Sequence, residues 1–187
     1  VSLDCPSGPI ELRELVPAQL RREMLMVQQD VFLFDDDARF NVTLGQADLH
    51  GDDAILEGAL ELVQAGFVRE RGGLDMQVGE RGRSLSAGEA QLLAFARVAA
   101  RKPRMLILDE ATASVDSMTE QRVQAAIEGL LRGRSVLVIA HRLSTIRHAD
   151  KIVVMRDGQI AEMGKHEELM AAGGLYAELY ESAFSGD

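Results

Sequence analysis

Two adjacent carboxylates, Asp109 and Glu110, stand at the end of the apolar run Met105-Leu106-Ile107-Leu108. Neighbouring side chains leave a strand on opposite sides, so the two acids are free to take different tasks. One can hold a divalent cation, directly or through water, while the other polarises a water molecule. A strand running out into a solvated acidic loop would leave the same letters. His141 stands in the same relation to a second apolar run, Ser135 to Ala140. An imidazole there can donate a hydrogen bond to a phosphate oxygen and orient an attacking water, or it can simply cap or pack. Leu85-Ser86-Ala87-Gly88-Glu89 opens a helix whose apolar positions include Leu92, Leu93, Ala96, Ala99 and Ala100. Ser86 is a good N-cap, and a start made of small residues lets backbone N–H groups approach a phosphate along the favourable end of the helix dipole. An ordinary serine-capped helix reads identically. Gln29, just past the run Met24 to Gln28, can offer an amide oxygen to a cation.

The elements that must position these groups alternate in type. Met24 to Gln28 reads as a strand, followed by a loop through Asp30 and the acidic triplet Asp35 to Asp37. Leu56, Ala59, Leu60, Val63 and Phe67 recur at spacings of three and four, predicting one helix over 52–67 with a single apolar face. A Gly-rich stretch, Gly72 to Gly82, precedes the helix that begins near Ser86. Met105 to Leu108 then predicts a strand covered on both faces, Ser117 to Glu120 has the form of a capping box, and Val123, Ile127, Leu130 and Leu131 mark a buried helix face. Ser135 to Ala140 predicts a second buried strand and Lys151 to Met155 a third. Strand, helix, strand, helix, strand is the pattern of a parallel sheet with right-handed crossovers, whose chemistry sits beyond the carboxyl ends of the strands.

Composition narrows the choice of partners. A chain of 187 residues with 47% hydrophobic and 27% charged residues can build a compact domain with a small lobe attached. Its net charge of −10 would repel a nucleic-acid backbone, so no nucleic-acid partner is expected. The densest apolar runs are far below the ~20 residues that cross a bilayer. Val1-Ser2-Leu3-Asp4 shows no basic segment followed by an apolar one, and a cytoplasmic location is expected. Cys5 is the one cysteine, which excludes an internal disulfide.

Taken in order, Val27-Gln28-Gln29-Asp30, Val78-Gly79-Glu80-Arg81-Gly82, Leu85-Ser86-Ala87-Gly88-Glu89, Met105 to Glu110, Ala113-Ser114-Val115-Asp116 and His141 resemble the ATP-binding cassette of ABC transporters over essentially the whole chain. The resemblance implies an α/β fold: a truncated P-loop ATPase core, its parallel sheet flanked by helices, plus a helical subdomain. It divides the chain into a β remnant with the Q-loop (1–34), a helical subdomain with the signature motif (35–101) and an α/β core (102–187). It implies that Gln29 and Asp109 hold Mg, that Glu110 is the catalytic base and that His141 is the switch histidine. Gln29, Ser86, Ala87, Gly88, Glu89 and Asp116 would meet ATP, part of this set across a head-to-tail pair of cassettes. Gln29 and the exporter-like segment Val78, Gly79, Glu80, Arg81 and Gly82 would couple to transmembrane domains at the inner face of the cell membrane. The ending Gly173 to Tyr180 likewise resembles the C-terminal helix of exporter cassettes.

The departures from the family pattern carry as much weight. The family's signature is usually Leu-Ser-Gly-Gly-Gln, so Glu89 brings a carboxylate to a nucleotide-facing position, where it could repel phosphate unless its side chain points away. No Gly-x-x-x-x-Gly-Lys-Ser/Thr occurs, and the lysines are Lys102, Lys151 and Lys165. By the family's order that phosphate loop would lie before Val1, so the chain reads as a truncated cassette. An SMC-type chromosome ATPase, which also carries a Glu-ended signature, would need long coiled coils between Gln29 and Ser86. Positions 30 to 85 hold no sustained heptads. The other alternative is a non-catalytic fragment that lends its signature helix to a partner cassette.

Overall fold

The computed structural model describes residues 2–5, 8–11, 16–28, 31–109, 117–140 and 146–184. Gln29, Glu110, Asp116 and His141 lie outside the described residues. The chain divides into two compact units, residues 1–138 and 139–187.

In the first unit, a hairpin pairs β1 (Ser2–Cys5) with β2 (Gly8–Glu11) antiparallel. Helix α1 (Pro17–Glu23) starts on a proline and leads into β3 (Met24–Val27). β3 joins β4 (Met105–Asp109) and β5 (Ser135–Ile139) in a three-stranded parallel sheet of order β3-β4-β5. Met26 faces Ile107 and Val27 faces Leu108 in the parallel register of the first pair. Alternation along the strands sorts the side chains. Leu25, Val27, Leu106, Leu108, Val136 and Val138 pack into the core, whereas Met26 (51% exposed) and Leu137 (53%) project from the opposite, open face. Ser135–Ile139 is therefore a half-buried strand, not the doubly covered one that its apolar composition predicts.

Helices cover the other face. Helix α6 (Ala87–Arg101) buries Leu92, Leu93, Phe95, Ala96, Val98, Ala99 and Ala100, and packs on α7 (Ser117–Leu131), which contributes Val123, Ala126, Ile127 and Leu130. α2 (Ala38–Thr43) and α4 (Asp53–Leu62) lie against α6, with the single turn α3 (Ala47–His50) between them in sequence. The Asp52 carboxylate accepts the Ile55 N–H at 3.1 Å and caps α4.

The single helix expected over 52–67 breaks. Ala65 N–H donates to Leu60 O and Gln64 N–H to Glu61 O, while Gln64 takes φ +56°. These are the paired 6→1 and 5→2 bonds of a Schellman cap, with Gln in the left-handed C′ position usually held by glycine. The chain then restarts as α5 (Gly66–Glu70), which keeps Phe67 and Val68 buried.

In the second unit, β6 (Ile152–Arg156) pairs antiparallel with β7 (Gln159–Gly164). This corrects the expectation that Lys151 to Met155 forms a further parallel strand. Asp157 (φ +52°) and Gly158 (φ +75°) make the two-residue turn, both in the left-handed region that a primed hairpin turn requires. Helices α8 (His166–Ala172) and α9 (Leu175–Phe184) complete this unit around Val154, Leu169 and Tyr176. The Glu162 carboxylate accepts the Leu175 and Tyr176 N–H groups at 2.6 and 3.1 Å, and the Tyr176 hydroxyl meets His166 Nδ1 at 2.8 Å.

The strained C′ residue is testable. Gln64→Gly removes the Cβ from a left-handed position and should stabilise the chain by about 0.5–1 kcal/mol after the entropic cost of glycine. Urea unfolding reads this as a higher midpoint at unchanged slope, and a lower midpoint would remove strain at Gln64 from the account.

Candidate functional site at the signature helix and the sheet edge

The first turn of α6 carries the Ser86–Glu89 motif. Ser86 Oγ accepts the Glu89 N–H at 3.2 Å, and the Ser86 N–H donates to Glu89 Oε2 at 2.9 Å, a reciprocal capping box. Ser86 and Ala87 are exposed and Gly88 is buried. The Glu89 carboxylate is folded back across the helix start and held by Arg71, with Nη2 to Oε1 at 2.6 Å and Nη1 to Oε2 at 3.3 Å. Arg71 also donates to Ser84 O at 3.4 Å and lies 5.5 Å from the centre of the Phe67 ring. The charge at this departure from the usual signature is therefore paired within the chain.

Val78 to Gly82 leads into that helix along a tightly specified backbone. Val78 is fully buried, and its N–H donates to Asp36 O. Its carbonyl accepts the Ser84 hydroxyl at 2.6 Å. Gly79 (φ +73°, ψ 169°) occupies a region open essentially to glycine alone. Gly82, at φ +76° in the short 3-10 turn Glu80–Gly82, has Leu33 Cδ1 only 2.9 Å from where a Cβ would stand. Glu80 and Arg83 form a 3.7 Å ion pair between exposed side chains, worth little in stability. Arg81 contributes its backbone to this turn.

The segment after Gln29 is tied to α6 by a polar hub. Asn41, fully buried, accepts the Phe34 N–H through Oδ1 at 2.8 Å, and its Nδ2 donates to Phe34 O and to Asp37 O, each at 3.0 Å. From α6, Arg97 Nε donates to Asn41 O at 2.5 Å and Nη2 to Asn41 Oδ1 at 3.2 Å, while Arg101 donates to Thr43 O at 3.3 Å. These are carbonyls of the last turn of α2, which lack partners within their own helix. Burial, with the neighbouring Arg101 charge, pushes Arg97 down to about 10, and burial lowers Arg101 too. Both remain cationic at neutral pH. Against this hub Phe32 and Phe34 stand out 58% and 42% exposed, their rings edge to face at 5.0 Å, with Phe40 next at 5.5 Å.

At the sheet edge, Asp109 ends β4 half-buried, on the side of the strand away from Leu106 and Leu108. Gln29 follows the carboxyl end of β3 after one residue, Glu110 directly follows β4, and His141 follows β5 after one residue. Among the described residues no three His, Cys, Asp or Glu side chains converge as a metal site. A single carboxylate nevertheless suits Mg, which is commonly held by one or two carboxylates together with substrate phosphates.

Residues 4–113 match the family described as ABC transporter. The chain belongs to the ABC transporter family. It is 46% identical over 184 residues to an ATP-dependent lipid A-core flippase of Cupriavidus pinatubonensis, covering 95% of this chain and 30% of that protein. ABC transporter aclQ of Aspergillus oryzae is 40% identical over 176 residues, 91% of this chain and 21% of that protein. The structure of a bacterial Atm1-family ABC exporter with ATP bound superposes with a TM-score of 0.80 at 34% identity, over 95% of this chain and 32% of that one. The fold is that of an ABC ATPase. The chain spans about 30% of the flippase's length. No helix among the described residues is long and apolar enough to cross a membrane.

Arg71, Asn41 and Arg97 are not among the residues that sequence reasoning selects. A signal was present for one of them: Arg97 and Arg101 sit four apart in a helix otherwise rich in Ala and Leu, a spacing that aligns them on one face. Truncating the hub has a definite expected cost. Asn41→Ala leaves the Phe34 backbone and Arg97 without their buried partner and should destabilise the chain by about 3 kcal/mol. Chemical denaturation measures it, and a loss below about 1 kcal/mol would show that water replaces the amide.

Proposed function

We propose that these residues form the signature-bearing part of an exporter's ATP-hydrolysing cassette, working with a phosphate loop from outside the 187 residues and with a second cassette paired head to tail. The observation that carries this is the first turn of α6, where Ser86 and Ala87 are exposed at a box-capped helix start. Such a terminus can donate to a γ-phosphate held by the partner cassette. In the same reading, Asp109 and Gln29 hold Mg beside the chain's own nucleotide, and Mg when bound neutralises charge on the phosphates. Glu110 accepts a proton from the attacking water, His141 donates to a phosphate oxygen, and Asp116 lies at the contact between cassettes. Phosphoryl transfer needs mostly positioning and charge stabilisation, which this set supplies.

Coupling to transmembrane domains runs through Gln29 and the Val78–Gly82 segment, whose backbone is held by Leu33, Asp36 and Ser84. The transported molecule is chosen in those domains, and the working location is the cytoplasmic face of a membrane. A second reading, a fragment lending its signature to a partner without hydrolysing ATP itself, is favoured by the absence of a phosphate-loop motif from the sequence.

The two readings agree that the 187 residues alone bind ATP weakly, and they divide on hydrolysis by a completed cassette. The 187-residue chain by itself should show no saturable Mg-ATP binding below about 1 mM, since an exposed helix terminus contributes only about 1 kcal/mol against the roughly 4 kcal/mol that this affinity requires. Titration calorimetry giving a stoichiometric micromolar isotherm would reveal a phosphate site elsewhere. In a cassette completed by its phosphate loop, Glu110→Gln should cut turnover by roughly a hundredfold or more while ATP binding persists. Wild-type turnover would take the base role from Glu110.

A further inference from the structure

We infer that Arg71 is a positioning residue for the signature motif, holding the Glu89 carboxylate in its capping pose and cancelling its charge beside the phosphate-facing helix start. The geometry is specific. Both guanidinium Nη atoms reach Glu89, one on each carboxylate oxygen, at 2.6 and 3.3 Å, and the oxygen that takes the weaker contact also accepts the Ser86 N–H. Arg71 is anchored from two further directions, by Ser84 O and by the Phe67 ring. Phe67 is itself buried in the core, so the guanidinium hangs from a fixed point. The ion pair spans 18 residues of sequence and joins the end of α5 to the start of α6.

The need for such a residue comes from Glu89 itself. A neutral amide at this position would cap Ser86 without bringing a charge. A carboxylate gains from the helix dipole, but it puts a full negative charge within one turn of the atoms that would meet a triphosphate. Arg71 removes that cost while leaving the cap intact. The functional half of the inference rests on the cassette reading proposed above; the positioning half does not.

The test therefore has two arms. In the 187-residue chain, amide exchange over residues 86–90 should accelerate about fivefold or more in Arg71→Glu, because two like charges force Glu89 out of the box. Arg71→Glu with Glu89→Gln should return to within about twofold of the wild type, since a neutral amide can stay. The Val123–Leu130 amides serve as the folding control. Unchanged exchange in Arg71→Glu, or no rescue by Glu89→Gln, overturns the positioning role. In the complete ATP-hydrolysing transporter, Arg71→Ala should raise the KM for ATP about two- to threefold with kcat little changed, the size expected for one screened charge near the site, and adding Glu89→Gln should restore it. A KM that does not respond, or a fall confined to kcat, overturns the charge-cancelling role. A wild-type transporter without ATP turnover sinks the cassette reading and leaves the exchange arm to judge Arg71 by itself.

Discussion

The helical part of the first unit is tied together by a partly buried cation that meets no carboxylate among the described residues. Arg97 reaches from the middle of α6 to the last turn of α2 and is held there by Asn41 O and Oδ1 alone among the described residues. Two requirements are satisfied together. The short helix α2 has too few residues to dispose of its own terminal carbonyls, and the arginine supplies donors for them. Asn41 then spends its remaining polar atoms on both backbone groups of Phe34 and on the carbonyl of Asp37. The loop leaving β3, the helix α2 and the signature helix are thus hydrogen-bonded through one buried amide. Because the alternative for each group is an unsatisfied polar atom in a low dielectric, the arrangement is stiffer than an apolar contact of equal area.

That stiffness bears on how the site is addressed. The exposed rings of Phe32 and Phe34 and the buried side chain of Leu33 alternate along an extended segment, so one face looks outward while the other locks under Gly82. Leu33 fills the space that a Cβ on Gly82 would take, and Phe34 is bonded to Asn41. The sheet edge is addressed separately. Asp109 stands on the side of β4 away from Leu106 and Leu108, which pack into the core with α6 and α7.

The sequence made some of this legible and hid the rest for identifiable reasons. Strands Met24–Val27 and Met105–Asp109 and the capped start of α6 were readable because local chemistry dictates them: a continuous apolar run, or a serine with a carboxylate three residues later. The break at Gln64 was not, because a Schellman cap normally announces itself with glycine at C′ and here the glycine comes two residues late, at Gly66. The pairing of Ile152–Arg156 with Gln159–Gly164 was legible in Asp157-Gly158 and was overridden by the expectation of a repeating strand–helix alternation. Ser135–Ile139 read as buried on both faces because composition reports only that a strand is apolar, not how many faces find a partner. The partners of the site were the hardest to see. Arg97 finds Asn41 across 56 residues and Arg71 finds Glu89 across 18, and no periodicity encodes a side chain's reach through space.

The unusual last residue of the signature changes meaning once its contacts are counted. As a letter, Glu89 is a departure that places negative charge where phosphate is expected. As a side chain, it fills the N3 place of a capping box, where a carboxylate is favoured over an amide by the aligned N–H groups of the first turn. The two descriptions conflict only while the charge is counted alone. Arg71 makes the pair neutral at a distance yet leaves Oε2 on the Ser86 N–H to keep the cap. A substitution in a ligand-facing motif is therefore to be weighed with the residues that share its charge. Here they place Glu89 among the groups that build the helix start.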